Sequence, residues 1–268
     1  MNKSIAVFGG NGFLGRKICE VGIRRGYDVT SFSRQGEAPQ AVIHQPWVAK
    51  VNWEKADIFD PTTYQDKLKE FPTVVHSIGI LFENQSYKKA MNSNFNFLSD
   101  IQQLANNMMG SNPMQKEGVK STYEAIQRDS AVMLADAFIK AQSALPRNFV
   151  YISADKNPPM VPQDYILTKR EAEFELSNKS GLRSIFMRPG IMYDESHEGG
   201  LTTRDILVKG LRLGVGLKEC TVGKNLASSI VRPVLSTEQV AESLYDSLEN
   251  ESFEGVVTVE QIRRKSIK

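Results

Sequence analysis

The run from Ser4 to Phe8 is short and apolar, ends in Gly9 and Gly10, and is followed by Phe13, Leu14, Ile18, Val21 and Gly22 at helical spacing. Strand, tight glycine turn and helix in that order leave few folds open. Gly10, Gly12 and Gly15 form a G-x-G-x-x-G pattern that Gly9 extends. In such a pattern the first glycine takes the tight turn, the second lets the backbone approach a pyrophosphate, and the third lets the helix pack closely on the strand. The helix N-terminus then presents free N–H groups and the positive end of its dipole to the phosphates. Alone the pattern is weak; a strand before it and a helix after it make it informative. Dinucleotide binding is therefore expected, with Gly9, Gly10, Asn11, Gly12, Phe13, Leu14 and Gly15 around the phosphates.

The same rhythm continues along the chain. Strands are expected over Tyr27 to Ser33, Val48 to Ala56 and Thr73 to Ile80, with Asp60 and Pro61 opening a short helix that ends near Glu70. Helices follow over Tyr123 to Ser143 and Tyr165 to Ser177, alternating with strands Asn148 to Ser153 and Arg183 to Met187. Ser236 and Gln239 form a capping box for a helix to about Glu249, and Gly255 to Val259 reads as a last strand. Alternation of this kind gives an α/β protein: a doubly wound parallel sheet of the Rossmann type with a small C-terminal lobe. The nucleotide domain spans 1–190, and the lobe, 191–268, returns a helix and a strand to the core. Residues 82–120 break the rhythm with seven asparagines between Asn84 and Asn112 and with Gly110, Pro113 and Gly118 as breakers. They read as an irregular insertion: a lid, a docking surface or a solvated loop.

Composition narrows the partners. A chain of 268 residues with 41% hydrophobic residues can bury one sizeable core. With 33 basic and 31 acidic residues it has no nucleic-acid footprint. Cys19 and Cys220 fit neither a disulfide framework nor a zinc site, and His44, His76 and His197 lack metal-ligand spacing, so no metal is expected. No apolar run approaches the ~18 residues that span a bilayer, which leaves peripheral membrane association. No clear cleavable transit peptide precedes the first strand. Lys3, Arg16, Lys17, Arg24 and Arg25 against Glu20 read either as a non-cleaved basic signal or as a basic helix near cofactor phosphates.

Cofactor choice is read at the end of the second strand, where NAD binders usually place an acid. Here stand Ser33 and Arg34. A guanidinium can pair with a 2′-phosphate, so NADP(H) is favoured over NAD(H); the alternative is that Arg34 stacks on adenine or points to water. Asp57 and Ile58 follow the third strand, where they meet the adenine or, in the case of Asp57, cap a turn. Ser77, Ile78 and Gly79 would lie under the cofactor. Tyr165 and Lys169 are four apart on one helix face, and Ser153 ends the preceding strand. An ammonium lowers a phenol pKa from about 10, and the phenol can then exchange a proton with a carbonyl or alcohol that the serine orients. Arg188, Pro189 and Gly190 turn the chain into the C-terminal lobe and Arg232 and Pro233 bring it back; either arginine could meet an acidic substrate, but ion pairing is the expected use of both.

As a set, these motifs resemble the extended and atypical short-chain dehydrogenase/reductases. They are the glycine turn, Asp57-Ile58, His76 in the fourth strand, Ser153, Tyr165 with Lys169, Arg188-Pro189, and Pro233 leading into Gln239-Val240-Ala241. The resemblance implies Ser153, Tyr165 and Lys169 as the catalytic serine, tyrosine and lysine, with Ser33, Arg34, Asp57, Ile58, Ser77, Gly79, Tyr165, Lys169 and Pro189 on the cofactor. More narrowly, Val7 to Gly15, Ile152 to Lys156, Tyr165 to Glu173 and Arg128-Asp129-Ser130 are similar to fungal mitochondrial dehydrogenase-like proteins of the coenzyme Q (ubiquinone) biosynthetic complex. Those are related to the nucleotide-binding accessory subunit of respiratory complex I. That resemblance implies the matrix side of the mitochondrial inner membrane and other proteins of that complex as partners. Where many active relatives carry an asparagine that completes a proton relay, this chain has Gln127, Arg128 and Asp129. Two functions thus stand open: an NADP(H)-dependent oxidoreductase acting on a quinone precursor or other carbonyl compound, and a nucleotide-binding subunit that organises a complex.

Overall fold

The computed structural model describes residues 3–80, 122–141, 147–157, 161–194 and 233–265. The insertion at 82–120, His197, Cys220 and Arg232 lie outside the described residues. The order of elements is β1 (Ser4–Phe8), α1 (Gly15–Arg24), β2 (Asp28–Ser33), β3 (Asn52–Lys55), β4 (Thr73–His76), α2 (Ser130–Lys140), β5 (Asn148–Ile152), α3 (Asp164–Ser177), β6 (Arg183–Met187), β7 (Met192–Tyr193), β8 (Leu235–Ser236), α4 (Thr237–Glu249), β9 (Gly255–Val257) and α5 (Val259–Lys265).

Seven strands form one parallel sheet in the order β3-β2-β1-β4-β5-β6-β9. The order reverses between β1 and β4, and a doubly wound sheet opens its ligand crevice at the carboxyl ends of the strands beside such a reversal. The strands read as apolar runs because both faces are covered. Alternation along β1 shows it: Ile5 and Val7 join the core under α1, α4 and α5, while Ala6 and Phe8 join the core under α2 and α3. Strand β9 comes from the segment read as the returning lobe and closes the sheet beside β6.

Several elements differ from expectation. The third strand shortens to Asn52–Lys55 because Val48–Lys50 winds into a 3₁₀ turn that buries Val48. The helix expected after Asp60 is instead two 3₁₀ segments, Pro61–Thr63 and Gln65–Glu70, with Asp60 accepting from Thr62 N as the cap. The fourth strand stops at His76, since Ser77 to Ile80 leave the sheet to line its end. The last strand stops at Val257, and Thr258 starts a further helix by trading hydrogen bonds with Gln261. The helix expected to run to Ser143 ends at Lys140, and its entry, Glu124–Asp129, is a π-helical turn. The capping box at Ser236 and Gln239 forms as read.

Three of the basic residues of the opening helix have a use that was not expected from sequence. Arg24 pairs with Glu238 and Glu242, Arg25 with Glu242, Asp246 and Glu249, and Lys17 with Glu20 and Glu238. The charges fasten α1 to α4. Beneath them Tyr245 donates to Ile18 O at 2.9 Å, where a Cβ on Gly22 would stand 2.3 Å from the phenol oxygen.

Candidate active site at the carboxyl ends of the strands

The glycine turn is fixed by contact. Gly9 has φ +87°, a left-handed conformation that a side chain resists, so the strained position of the turn is Gly9 and not Gly10. Gly10 is glycine for space: an added Cβ would sit 2.3 Å from Ser31 Oγ and 2.9 Å from Cys19 Sγ. At Gly15 it would meet Gly9 O at 2.0 Å, so α1 packs on the turn with no room for a methyl group, as its position in the pattern implies. Gly12 is exposed, which leaves its backbone open to a ligand. Cys19 is buried below, its thiol pushed up to about 12 by burial, and is inert at ordinary pH.

At the end of β2, Ser33 Oγ accepts from Gly36 N, while Arg34 is exposed and makes no ion pair among the described residues. Lys55 stands opposite Ser33 in register, also exposed. Asp57 Oδ1 accepts from Phe59 N at 3.0 Å, so this carboxylate caps a turn, and Ile58 is buried in the core under α2 and α3. Ser77 N donates to Phe8 O, which holds the end of β4 beside the glycine turn.

The other half of the site gathers on β4, β5 and α3. Lys169 is buried, donates to Ile152 O at 2.9 Å, and lies 5.6 Å from the centre of the Tyr165 ring. Its ammonium would stand 3.7 Å from a Cβ at Gly79, so the glycine leaves the approach open. Burial drives the Lys169 pKa down to about 7, with Glu173 opposing and Arg170 reinforcing the shift. Tyr165 packs edge-on against Tyr123 at 6.0 Å within a small apolar cluster that includes Ala154 and Val161.

Ser153 is buried and its hydroxyl accepts from Arg170 Nη1 at 3.0 Å. The same guanidinium donates to Ala154 O, Asp155 O and Glu173. Glu173 also takes two bonds from Arg188, making a buried carboxylate between two arginines. Arg188 is thus an ion-pair residue, as the sequence implied, and Pro189 O accepts from Asp155 N to lock the neighbouring loop. Arg170 and Glu173 were not singled out from sequence; their three-residue spacing on a helix was the available signal.

His76 is fully buried under Tyr151 and bonds Ser130 Oγ at 2.8 Å. Since Ser130 gives its hydrogen to Ile126 O, His76 Nε2 donates and the ring is neutral. Burial, helped by the Lys169 charge, lowers its pKa to about 3. It is structural, and among the described residues no group of acids, histidines and cysteines could hold a metal. Gln127, at the place of the absent asparagine, is fully buried on the π-turn; its backbone oxygen accepts from the Tyr151 phenol at 3.0 Å.

The pattern of one family, described as male sterility protein and NAD-binding, matches residues 59–243. The chain belongs to that family. Its members fall among the extended short-chain dehydrogenase/reductases, which bears out the family resemblance read from the motifs. One relative, MIOREX complex component 2 of Saccharomyces cerevisiae, is 40% identical over 98% of this chain and 99% of its own length. A chloroplastic protein of Arabidopsis thaliana is 25% identical over 100% of this chain and 78% of its own. Among solved structures, the UDP-glucose 4-epimerase of Thermus thermophilus complexed with NAD superposes with TM-score 0.56 at 17% identity, over 96% of this chain and 77% of that one. WbmG of Bordetella bronchiseptica, complexed with NAD and UDP, gives 0.56 at 14% identity, over 95% and 71%. These likenesses establish an NAD-binding fold for this male sterility family member.

Proposed function

We propose that this protein binds a nicotinamide dinucleotide across the carboxyl ends of β1, β4 and β5 and works as a nucleotide-binding member of a mitochondrial multiprotein assembly. The observation that carries the nucleotide reading is the glycine turn, whose Gly15 has no space for a single added carbon and whose Gly12 lies open beside the sheet's order reversal. Arg34 and Lys55, two exposed cations without ion pairs among the described residues, support NADP(H), since both stand where β2 and β3 end. End-to-end identity to a MIOREX complex component supports the assembly role. The narrower role in ubiquinone synthesis, with the proteins of that complex as partners on the matrix side of the inner membrane, rests on the shared motifs at Val7 to Gly15, Ile152 to Lys156 and Tyr165 to Glu173. The test is a titration of purified protein with NADPH and NADH, followed by nicotinamide fluorescence, for wild type and Arg34→Ala. NADPH binding lost in the variant supports the reading; no binding of either nucleotide overturns it.

A second reading, an active oxidoreductase, is favoured by one observation: Lys169 is buried between Ile152 O and the Tyr165 ring. A bound nicotinamide would supply or accept the hydride. Tyr165 would hold and pass the proton to a carbonyl or alcohol oxygen, with Lys169 favouring the phenolate and Ser153 orienting that oxygen. Tyr165→Phe should then abolish turnover of any carbonyl substrate and leave NADPH affinity nearly unchanged.

A further inference from the structure

Arg16 is the second residue of α1, within the turn whose N–H groups face the expected pyrophosphate. Its guanidinium packs 5.7 Å from the centre of the Phe13 ring and donates through Nη2 to Asp194 Oδ2 at 2.8 Å. Asp194 follows β7, far along the chain, and is 5% exposed, whereas the arginine is 17% exposed. A guanidinium has five N–H donors in a fixed fork. Asp194 takes one, and the remaining ones have no hydrogen-bond partner among the described residues. The ring of Phe13 and the carboxylate of Asp194 therefore hold a planar cation with donors to spare at the phosphate end of the glycine turn. No acid stands in the first turn of α1 to compete for it.

We propose that Arg16 binds the pyrophosphate of the dinucleotide and that Asp194, acting through Arg16, positions it. The consequence is that the chain beyond β6 contributes to nucleotide affinity without touching the nucleotide. Asp194 costs the phosphates little, because its charge is already paired. Without it, Arg16 regains rotamer freedom that binding must remove again. The inference rests on the nucleotide reading above.

The test is an NADPH titration of wild type, Arg16→Gln, Arg16→Lys, Asp194→Asn and the Arg16→Gln/Asp194→Asn double variant, at two salt concentrations. Losing a charge-assisted hydrogen bond should weaken binding about tenfold in Arg16→Gln, with part retained in Arg16→Lys. The salt dependence of affinity should also be shallower in Arg16→Gln. Asp194→Asn should weaken binding by roughly threefold alone and by nothing further in the Arg16→Gln background, the mark of a residue acting through another. A purely structural ion pair would instead lower thermal stability equally in both single variants and leave affinity and its salt dependence unchanged; that result overturns the inference. Tighter binding in Asp194→Asn would overturn the positioning role. Failure of wild type itself to bind would overturn the nucleotide reading and this inference together.

Discussion

The two ends of the candidate site are built by different physics. At the glycine turn, position is set by contact: an added carbon at Gly10 or Gly15 would meet Ser31 Oγ or Gly9 O far inside normal separation. At the Tyr165 end, position is set by charge and hydrogen bonds that tie α3 to the ends of β5 and β6, from Arg170 to Ser153, from Arg188 to Glu173 and from Lys169 to Ile152. Contacts of the first kind tolerate no substitution yet ignore pH and salt. Those of the second tolerate conservative change but respond to both. A nucleotide cradle can be read as rigid, and the proton-handling end as tunable.

The largest expected effect breaks the rigid half. Gly15→Val must move either α1 or the Gly9 carbonyl, and overpacking of that severity costs about 3 kcal/mol. Chemical unfolding should show that loss, and NADPH binding should disappear even in the folded fraction. A variant that keeps both would mean the turn gives way and the contrast is false. Next in size comes Glu173→Leu, which leaves Arg170 and Arg188 facing each other without their shared carboxylate. Stranding charges that are partly exposed should cost about 2–3 kcal/mol. Because Arg170 also holds Ser153 and the carbonyls of Ala154 and Asp155, hydrogen exchange in the loop after β5 should rise while that of the glycine turn stays as it was.

This difference also governs what the sequence could tell. The glycine turn was legible because its glycines fall within the seven residues Gly9 to Gly15 and Gly15 packs on Gly9 itself, although the neighbours that require glycine at position 10, Ser31 and Cys19, lie outside them. Even there, Gly9 rather than Gly10 takes the positive φ, since spacing alone does not say which glycine bends. Tyr165 and Lys169 were legible as a helical pair, but the grip of Arg170 on Ser153 was not, because it depends on how the loop after β5 folds back on α3. The ion pairing of Arg24 and Arg25 on α1 was not legible for the same reason: their acidic partners lie more than 200 residues away, on α4. Tertiary contacts likewise replaced the expected helix after Asp60 with 3₁₀ turns, where Tyr64 buries its ring against Phe8 and bonds Ile58 O.

The tunable half should show itself in pH. Two buried bases have folded-state pKa values below their ordinary ones: Lys169 near 7 against 10.5, and His76 near 3 against 6.5. In each interval the unfolded chain binds the proton that the folded chain refuses, so stability rises with pH there. For Lys169 the contribution is complete above about 10.5, falls as pH drops toward 7, and is flat below. For His76 it is complete above 6.5, falls toward 3, and is flat below. Urea midpoints between pH 7 and 9 should therefore increase in wild type more than in Lys169→Met. Between pH 6 and 4 wild type should lose more stability than His76→Phe. Parallel curves in either comparison would show that the buried base takes its proton without penalty. The glycine turn contributes no slope of its own.

The smallest effect tests whether charge at a distance from the site behaves like charge within it. Arg25 reaches Asp246 at 2.6 Å and Glu249 at 3.0 Å besides Glu242, but its partners are between about a third and two fifths exposed, so water screens the network. Arg25→Ala should cost only about 1 kcal/mol, and less in high salt. The Glu173 network, with its carboxylate only 7% exposed, should keep most of its worth in the same salt. The measurement is the unfolding midpoint of Arg25→Ala and Glu173→Leu, each against wild type, at low and high ionic strength. If salt erases both differences equally, burial does not separate the two networks, and the Tyr165 end is no more protected than the α1–α4 surface. If it erases only the first, the positioning of Ser153 by Arg170 is insulated from the solvent that surrounds the rest of the charge on the molecule.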